Sequence, residues 1–309
     1  MSCDKDRDSV SSGPEIATPA TSSPPSPELA ASNQFTAVPP PTENHQHILL
    51  LVSSIYPATI ILGSLFSAIS PIGQSASYFS RKGNIFNVFF VKIGWFWTTA
   101  AFFVHVFSLR HPNAAQARTK ALIRWGVATL AWILVTQWFF GPPLIDRTFT
   151  LTGGTCQPKF EGYGGPMSSS GTPKFAIKVE DAFTSAACKG AGGRWDGGHD
   201  LSGHAFMLTH ASLFLWAELL PRLMDGWWRG SVGGRNITSM TIEWYGVHWF
   251  VWGILGLWWW MLLMTSVYFH TWSEKISGLI VGLVEWGLLY AYVIPTNPQA
   301  RQILGTPTI

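Results

Sequence analysis

Six long apolar runs, separated by short polar connections and one long polar loop, set the pattern of this chain. They cover approximately Ile48–Ile69, Ile85–Phe107, Ala121–Leu144, Gly203–Leu220, Val247–Phe269 and Ile276–Ile294. A hydrocarbon core about 30 Å thick takes about 20 helical residues to cross, so each run predicts a membrane-spanning helix, the fourth being the shortest. The expected fold is all-α, a polytopic membrane protein with six transmembrane helices. Before Ile48 lie eight of the twenty prolines, among Ser, Thr and a few charges, with almost no apolar pattern. Such a segment cannot bury enough surface to order itself. The predicted organisation is a disordered tail at 1–46, a membrane domain at 47–296 containing a long loop at 145–201, and a short tail at 297–309. The first tail is too polar for a cleaved signal peptide, which leaves the first span to direct targeting.

Composition agrees with a membrane solvent: 47% of the 309 residues are hydrophobic, only 12% are charged, and seventeen are Trp. The tryptophans, including Trp258–Trp260, read as packing and interfacial residues. A net charge of +3 with no Lys/Arg cluster argues against a nucleic-acid partner.

An even number of spans puts both termini on one side. If that side is cytosolic, the short cytosolic connections carry Arg110, Arg118, Lys120, Arg124, Arg222, Arg229 and Arg235, against Arg81, Lys82 and Lys275 opposite. Seven against three follows the positive-inside rule and makes the long loop lumenal. Cys156 and Cys188 both lie in that loop, where an oxidising lumen would join them; two free thiols in a loop is the other reading. With this topology, the fourth span begins at His204 and the fifth ends at His270, both at the lumenal boundary. The sequon Asn236-Ile237-Thr238 falls in a cytosolic connection, where it would carry no glycan.

The residues around these histidines suggest chemistry. In "DLSGH", Asp200 or Ser202 can cap a helix start, Gly203 lets an oxyanion approach the backbone N–H groups, and His204 stands beside them as a proton carrier. In "HTWSEK", Glu274 is four residues after His270. On a continued helix it would accept the imidazole N–H and make the other ring nitrogen a better nucleophile, with phosphorus as the electrophile. Alone, each histidine also reads as an interfacial anchor. Zinc fits poorly, because His199 and His204 are spaced i,i+5 and no Cys is close in sequence. Neither metal nor cofactor is expected.

The stretches "NVFFVKIGWFWT" (Asn87–Thr98), "GGRWDGGHDLSGHAFMLTHASLFLWAEL" (Gly192–Leu219) and "YFHTWSEKISGLIVGL" (Tyr268–Leu283) resemble the fat storage-inducing transmembrane (FIT) family, from the first span to the sixth. The resemblance implies a protein of the endoplasmic-reticulum membrane, involved in lipid-droplet formation, that splits fatty acyl-CoA into acyl-phosphopantetheine and adenosine bisphosphate. It also implies kinship with lipid phosphate phosphatases, whose PSGH histidine matches His204 and whose later histidine matches His270, as general acid and nucleophile respectively. This chain departs from the phosphatase pattern. Leu201 replaces the proline, Glu274 replaces an Asp, no Arg follows Ser266 or Ser273, and no KxxxxxxRP element is present. A cation for the phosphate must come from elsewhere. Lys92 inside the second span is the first candidate, with Lys275 and Arg194 as alternatives, while snorkelling to the interface is the other reading of Lys92. Glu285 in the sixth span could pair with Lys92. The competing function is a non-catalytic binder of diacylglycerol and triacylglycerol, and a transporter ranks third because no internal repeat or pair of broken helices is evident.

Overall fold

A computed structural model describes residues 43–70, 77–108, 113–137, 143–158, 184–190, 192–232 and 237–307. Cys3, Asn236 and most of the 1–46 segment lie outside these residues. The described chain is mostly helical. Helix α1 (Glu43–Ile69) is followed by a wide helical turn, Phe86–Val91, then α2 (Gly94–Phe107), α3 (Ala114–Thr136) and the short α4 (Leu144–Leu151). Strand β1 (Thr155–Pro158), helix α5 (Ser185–Gly190) and strand β2 (Gly193–Asp196) form a small disulfide-bearing element. Helices α6 (Gly203–Val232), α7 (Ile237–Tyr268) and α8 (Trp272–Trp286) complete the bundle. The helix of α8 is prolonged by a wide turn at Gly287–Val293 and the single turn Ile294–Thr296, ahead of the terminal α9 (Pro298–Leu304).

Three of these helical stretches are long and apolar enough to cross a membrane: Gln46–Ile69, His248–Tyr268 and Trp272–Thr296. The other three expected spans are less uniform than hydropathy alone suggests. The second is broken at Ile93, whose φ of −111° and ψ of 30° interrupt the helix. The third starts earlier than expected and carries Arg118, Lys120 and Arg124, and its expected end, Leu144, instead opens α4. The fourth runs past Leu220 through Pro221 and includes Glu218 and Arg222.

Helix α6 is the core. Ala205, Phe206, Leu208, Ala211 and Ala217 are inaccessible to solvent, and the neighbouring helices bury them from several sides. Small residues permit this closeness. A Cβ at Gly282 would press on the backbone of His210, and one at Gly63 on α1 would collide with Ser266 Oγ on α7. Indole N–H groups then fasten the helices. Trp258 donates to Thr98 at 3.1 Å, Trp216 to Tyr56 at 2.9 Å and Trp259 to Thr59 at 3.1 Å. Trp258 is therefore a core residue, whereas Trp259 and Trp260 are exposed.

The strands of this small element form an antiparallel pair in which Cys156 faces Trp195. A disulfide joins Cys156 to Cys188 behind it. Phe149 stacks on Trp195 with centroids 4.6 Å apart, and the Asp146 carboxylate accepts the Ser185 N–H at 3.3 Å. Burial holds the Asp146 carboxyl above its ordinary range.

At the end of the bundle away from His204, Arg124 on α3 makes a bidentate pair with Glu218 on α6, both bonds 2.6 Å. Its Nη1 donates to the Leu304 carbonyl at 2.6 Å, and the Tyr290 hydroxyl donates to Glu218 at 2.7 Å. Helix α9 is thus docked into the bundle through its last residue. Nearby, His105 on α2 and His248 on α7 meet at 3.3 Å, with Ser108 at 3.1 Å from the latter. Both Arg124 and Glu218 are almost completely buried, and removing one partner strands the other charge. Arg124→Ala is expected to destabilise the bundle by about 3–5 kcal/mol. Paired replacement of Arg124 and Glu218 by Leu and Met should recover part of that loss in detergent thermal unfolding.

Candidate active site

The α6 N-terminus and the α7–α8 turn come together at one end of the bundle. Ser202 precedes α6 and is fully buried; its hydroxyl accepts the Ala205 N–H at 3.2 Å, satisfying one of the open donors of the first turn. Its backbone N–H donates to the Glu274 carbonyl at 3.0 Å, which ties α6 to α8. A Cβ at Gly278 would collide with the Ser202 carbonyl, so the start of α6 rests on a glycine of α8. Gly203 follows with partial exposure, and His204 projects from the first turn.

Helix α7 ends at Tyr268 and α8 begins at Trp272, so His270 and Glu274 do not lie on one continued helix. His270 occupies the turn between them with φ of +59°, a left-handed conformation uncommon for a side-chain-bearing residue. The expected pair forms all the same: His270 Nδ1 lies 3.4 Å from Glu274 Oε2. The same oxygen accepts the Thr271 N–H at 2.8 Å, so the carboxylate caps α8 while facing the imidazole. With Nδ1 directed at Glu274, Nε2 is the ring nitrogen left for chemistry.

The two imidazoles face one another with centroids 6.5 Å apart and planes inclined at 49°. Phe269 lies roughly parallel to His204 at 6.4 Å. His204 Nε2 meets Asn87 Oδ1 at 2.6 Å. Lys82 and Lys92 bring two positive charges within electrostatic reach of the same ring, and both side chains lie on the protein surface. Asn87 and Lys82 escape a reading based on acid–base motifs. The available signal was a buried-type polar residue five positions before Lys92 in an otherwise apolar run.

The other candidates sit elsewhere. Lys275 is buried, and its ammonium donates to the Ser266 carbonyl at 2.7 Å, capping the end of α7. Arg194 is exposed and pairs with Asp196 at 2.5 Å. Glu285 does not pair with Lys92; its carboxylate lies 3.2 Å from His210 Nδ1, because residue 285 of α8 faces α6. His199 Nε2 lies 2.9 Å from Ser277 Oγ. Among the described residues no three His, Cys, Asp or Glu side chains converge as a metal site.

Membrane-length apolar helices with two facing histidines at one end of the bundle, one of them backed by a carboxylate, define the class: an integral membrane protein with a paired-histidine centre. A profile described as "Fat storage-inducing transmembrane protein" matches residues 75–290, and the chain belongs to that family. It is 40% identical over 257 residues to the acyl-coenzyme A diphosphatase fit1 of Schizosaccharomyces pombe, covering 83% of this chain and 90% of that one. It is 30% identical to the acyl-coenzyme A diphosphatase FITM2 of Danio rerio, covering 75% and 83%, and 28% identical to that of Homo sapiens, covering 77% and 80%. No solved structure matches.

The contact between Gly278 and the α6 start supplies a test of the geometry. Gly278→Ala should push Ser202 and hence His204 off their positions, and displacement by about 1 Å at a reacting group costs on the order of 10²-fold in rate. Turnover per folded molecule should therefore fall much further than thermal stability.

Proposed function

We propose that this chain is a fatty acyl-CoA diphosphatase of the endoplasmic-reticulum membrane, hydrolysing fatty acyl-CoA to acyl-4'-phosphopantetheine and adenosine 3',5'-bisphosphate. The observation that carries the reading is the facing pair His204 and His270, with Glu274 on the far side of His270. The names of the relatives agree with it.

In this reading the lone pair of His270 Nε2 forms a bond to phosphorus while the bond to the bridging anhydride oxygen breaks. The departing phosphate oxygen takes a proton from His204. Water then attacks the phosphohistidine, returning a proton to His204 and releasing His270. Glu274 orients the imidazole and stabilises the positive charge that develops on it. Gly203 offers the phosphate close approach to the first turn of α6, with Ser202 fixing that turn, and Lys92 and Lys82 supply positive charge. The acyl chain lies among α6, α7 and α8. Two further elements of the proposal are six spans with both termini cytosolic and the paired histidines on the lumenal side. The charge bias of the short connections and the Cys156–Cys188 disulfide support that orientation. Lipid-droplet formation is the expected setting of the activity.

Purified protein in detergent should convert oleoyl-CoA to a phosphopantetheine-linked product detectable by mass spectrometry. His270→Ala should abolish turnover, and His204→Ala should lose about 10²–10⁴-fold. Glu274→Gln should lose less than His270→Ala, and the double histidine variant should scarcely exceed it, because members of one catalytic unit do not add. Full turnover in folded His270→Ala would remove the nucleophile, and a protein that only binds neutral lipid would tolerate that change. Orientation has its own test: Asn236 should carry no glycan, and an endoglycosidase-sensitive species lost in Asn236→Gln would place the histidines on the cytosolic side.

A further inference from the structure

We propose that Asn87 is a positioning residue of the hydrolytic site: its amide holds His204 as the Nε2–H tautomer and dedicates Nδ1 to the proton exchanged with the leaving group. The inference rests on the reading of His204 as the proton donor, and it deepens that reading by naming the atom.

The polarity of the network is forced. Asn87 Nδ2 lies 2.7 Å from the Lys82 carbonyl, a group that can only accept, so this end of the amide must be the NH₂. Oδ1 is thereby turned to His204 Nε2 at 2.6 Å, and an amide oxygen has no proton to give. Nε2 must therefore carry one. A flipped amide would set two oxygens against each other at Lys82. The backbone is locked as well. The Asn87 N–H donates to Asn84 Oδ1 at 2.8 Å, and Asn84 Nδ2 donates to the Arg81 carbonyl at 2.8 Å, which fixes the second amide in the same way. The Lys92 N–H closes the wide turn on the Asn87 carbonyl at 2.9 Å. Asn87 itself is only 5% exposed, so water does not compete for these bonds.

Charged and titratable groups around the His204 ring come from two directions: Lys82 and Lys92 from the segment that carries Asn87, and His270 with Glu274 behind it from the α7–α8 turn. Phe269 supplies the apolar face. With Nε2 committed to Asn87, protonation of the ring adds its proton at Nδ1. The cycle then runs on one nitrogen: Nδ1–H protonates the departing oxygen, and the freed Nδ1 accepts a proton from the attacking water. A buried amide acceptor also stabilises the imidazolium without itself titrating.

The test compares two substrates with the full-length protein in detergent: oleoyl-CoA, and an acyl-phosphopantetheine ester whose 4-nitrophenolate leaving group needs no proton. Asn87→Ala should slow oleoyl-CoA turnover by about ten- to a hundredfold, less than loss of the acid itself, and slow the nitrophenyl ester much less. Asn87→Asp keeps an acceptor opposite Nε2 and adds charge that favours the imidazolium, but it sets an oxygen against the Lys82 carbonyl, so its rate is read per folded molecule. It should retain turnover while the alkaline limb of kcat/KM for oleoyl-CoA moves to higher pH. Equal losses on both substrates in Asn87→Ala, or an unmoved limb in folded Asn87→Asp, would overturn the assignment. His204→Ala run alongside separates the two levels. If it spares oleoyl-CoA, the proton-donor reading fails first and takes this inference with it; if it behaves as an acid knock-out while the Asn87 variants do not follow, only the positioning role fails.

Discussion

The bidentate bond between Arg124 and Glu218 fixes how the bundle is registered. Two opposite charges removed from water cost several kcal/mol each to desolvate, and only close, fully bonded geometry repays that cost. The geometry here is nearly saturated, with the guanidinium held by two carboxylate oxygens and the Leu304 carbonyl, and the carboxylate held also by Tyr290. Four elements therefore share one height along the bundle axis. Glu218 and His204 stand on the same α6 helix, separated by about 21 Å of helical rise, so anchoring one fixes the depth of the other. The close contacts of Gly63 with Ser266 and of Gly282 with His210 add to that registration.

At the other end, backbone bonds as well as side-chain contacts hold the histidine pair. Ser202 N–H bonds the Glu274 carbonyl, and Glu274 in turn caps the helix that follows His270. The start of α6 and the turn bearing His270 thus move as one piece. The left-handed conformation of His270 costs free energy that a tight α7–α8 connection supplies, with Lys275 holding the last turn of α7 through the Ser266 carbonyl. A lysine that looked available to bind phosphate is spent on shaping the turn.

His204, His270 and Glu274 were legible in the sequence because small spacings survive folding: a serine-glycine pair at a helix start and a carboxylate four residues from a histidine keep their meaning in almost any helical context. The continued helix between His270 and Glu274 was the wrong vehicle for the right contact, since a capping carboxylate reaches back across a turn as well as along a helix. Asn87, Lys275 and the His210–Glu285 contact were not legible. Each depends on how two helices are rotated about their axes, and hydropathy carries no information on rotation when both faces are apolar. The break at Ile93 was hidden for a related reason, because a run of Phe, Val and Ile scores as apolar whether or not its hydrogen bonds are continuous.

The bond from Arg124 to the Leu304 carbonyl spans 180 positions of the chain, while the one to Glu218 spans 94. The guanidinium on α3 therefore meets its carboxylate only once α6 has been made, and its last acceptor only once the chain beyond α8 has been made. The Arg124 site is consequently completed in chain order, with the terminal segment supplying its last acceptor.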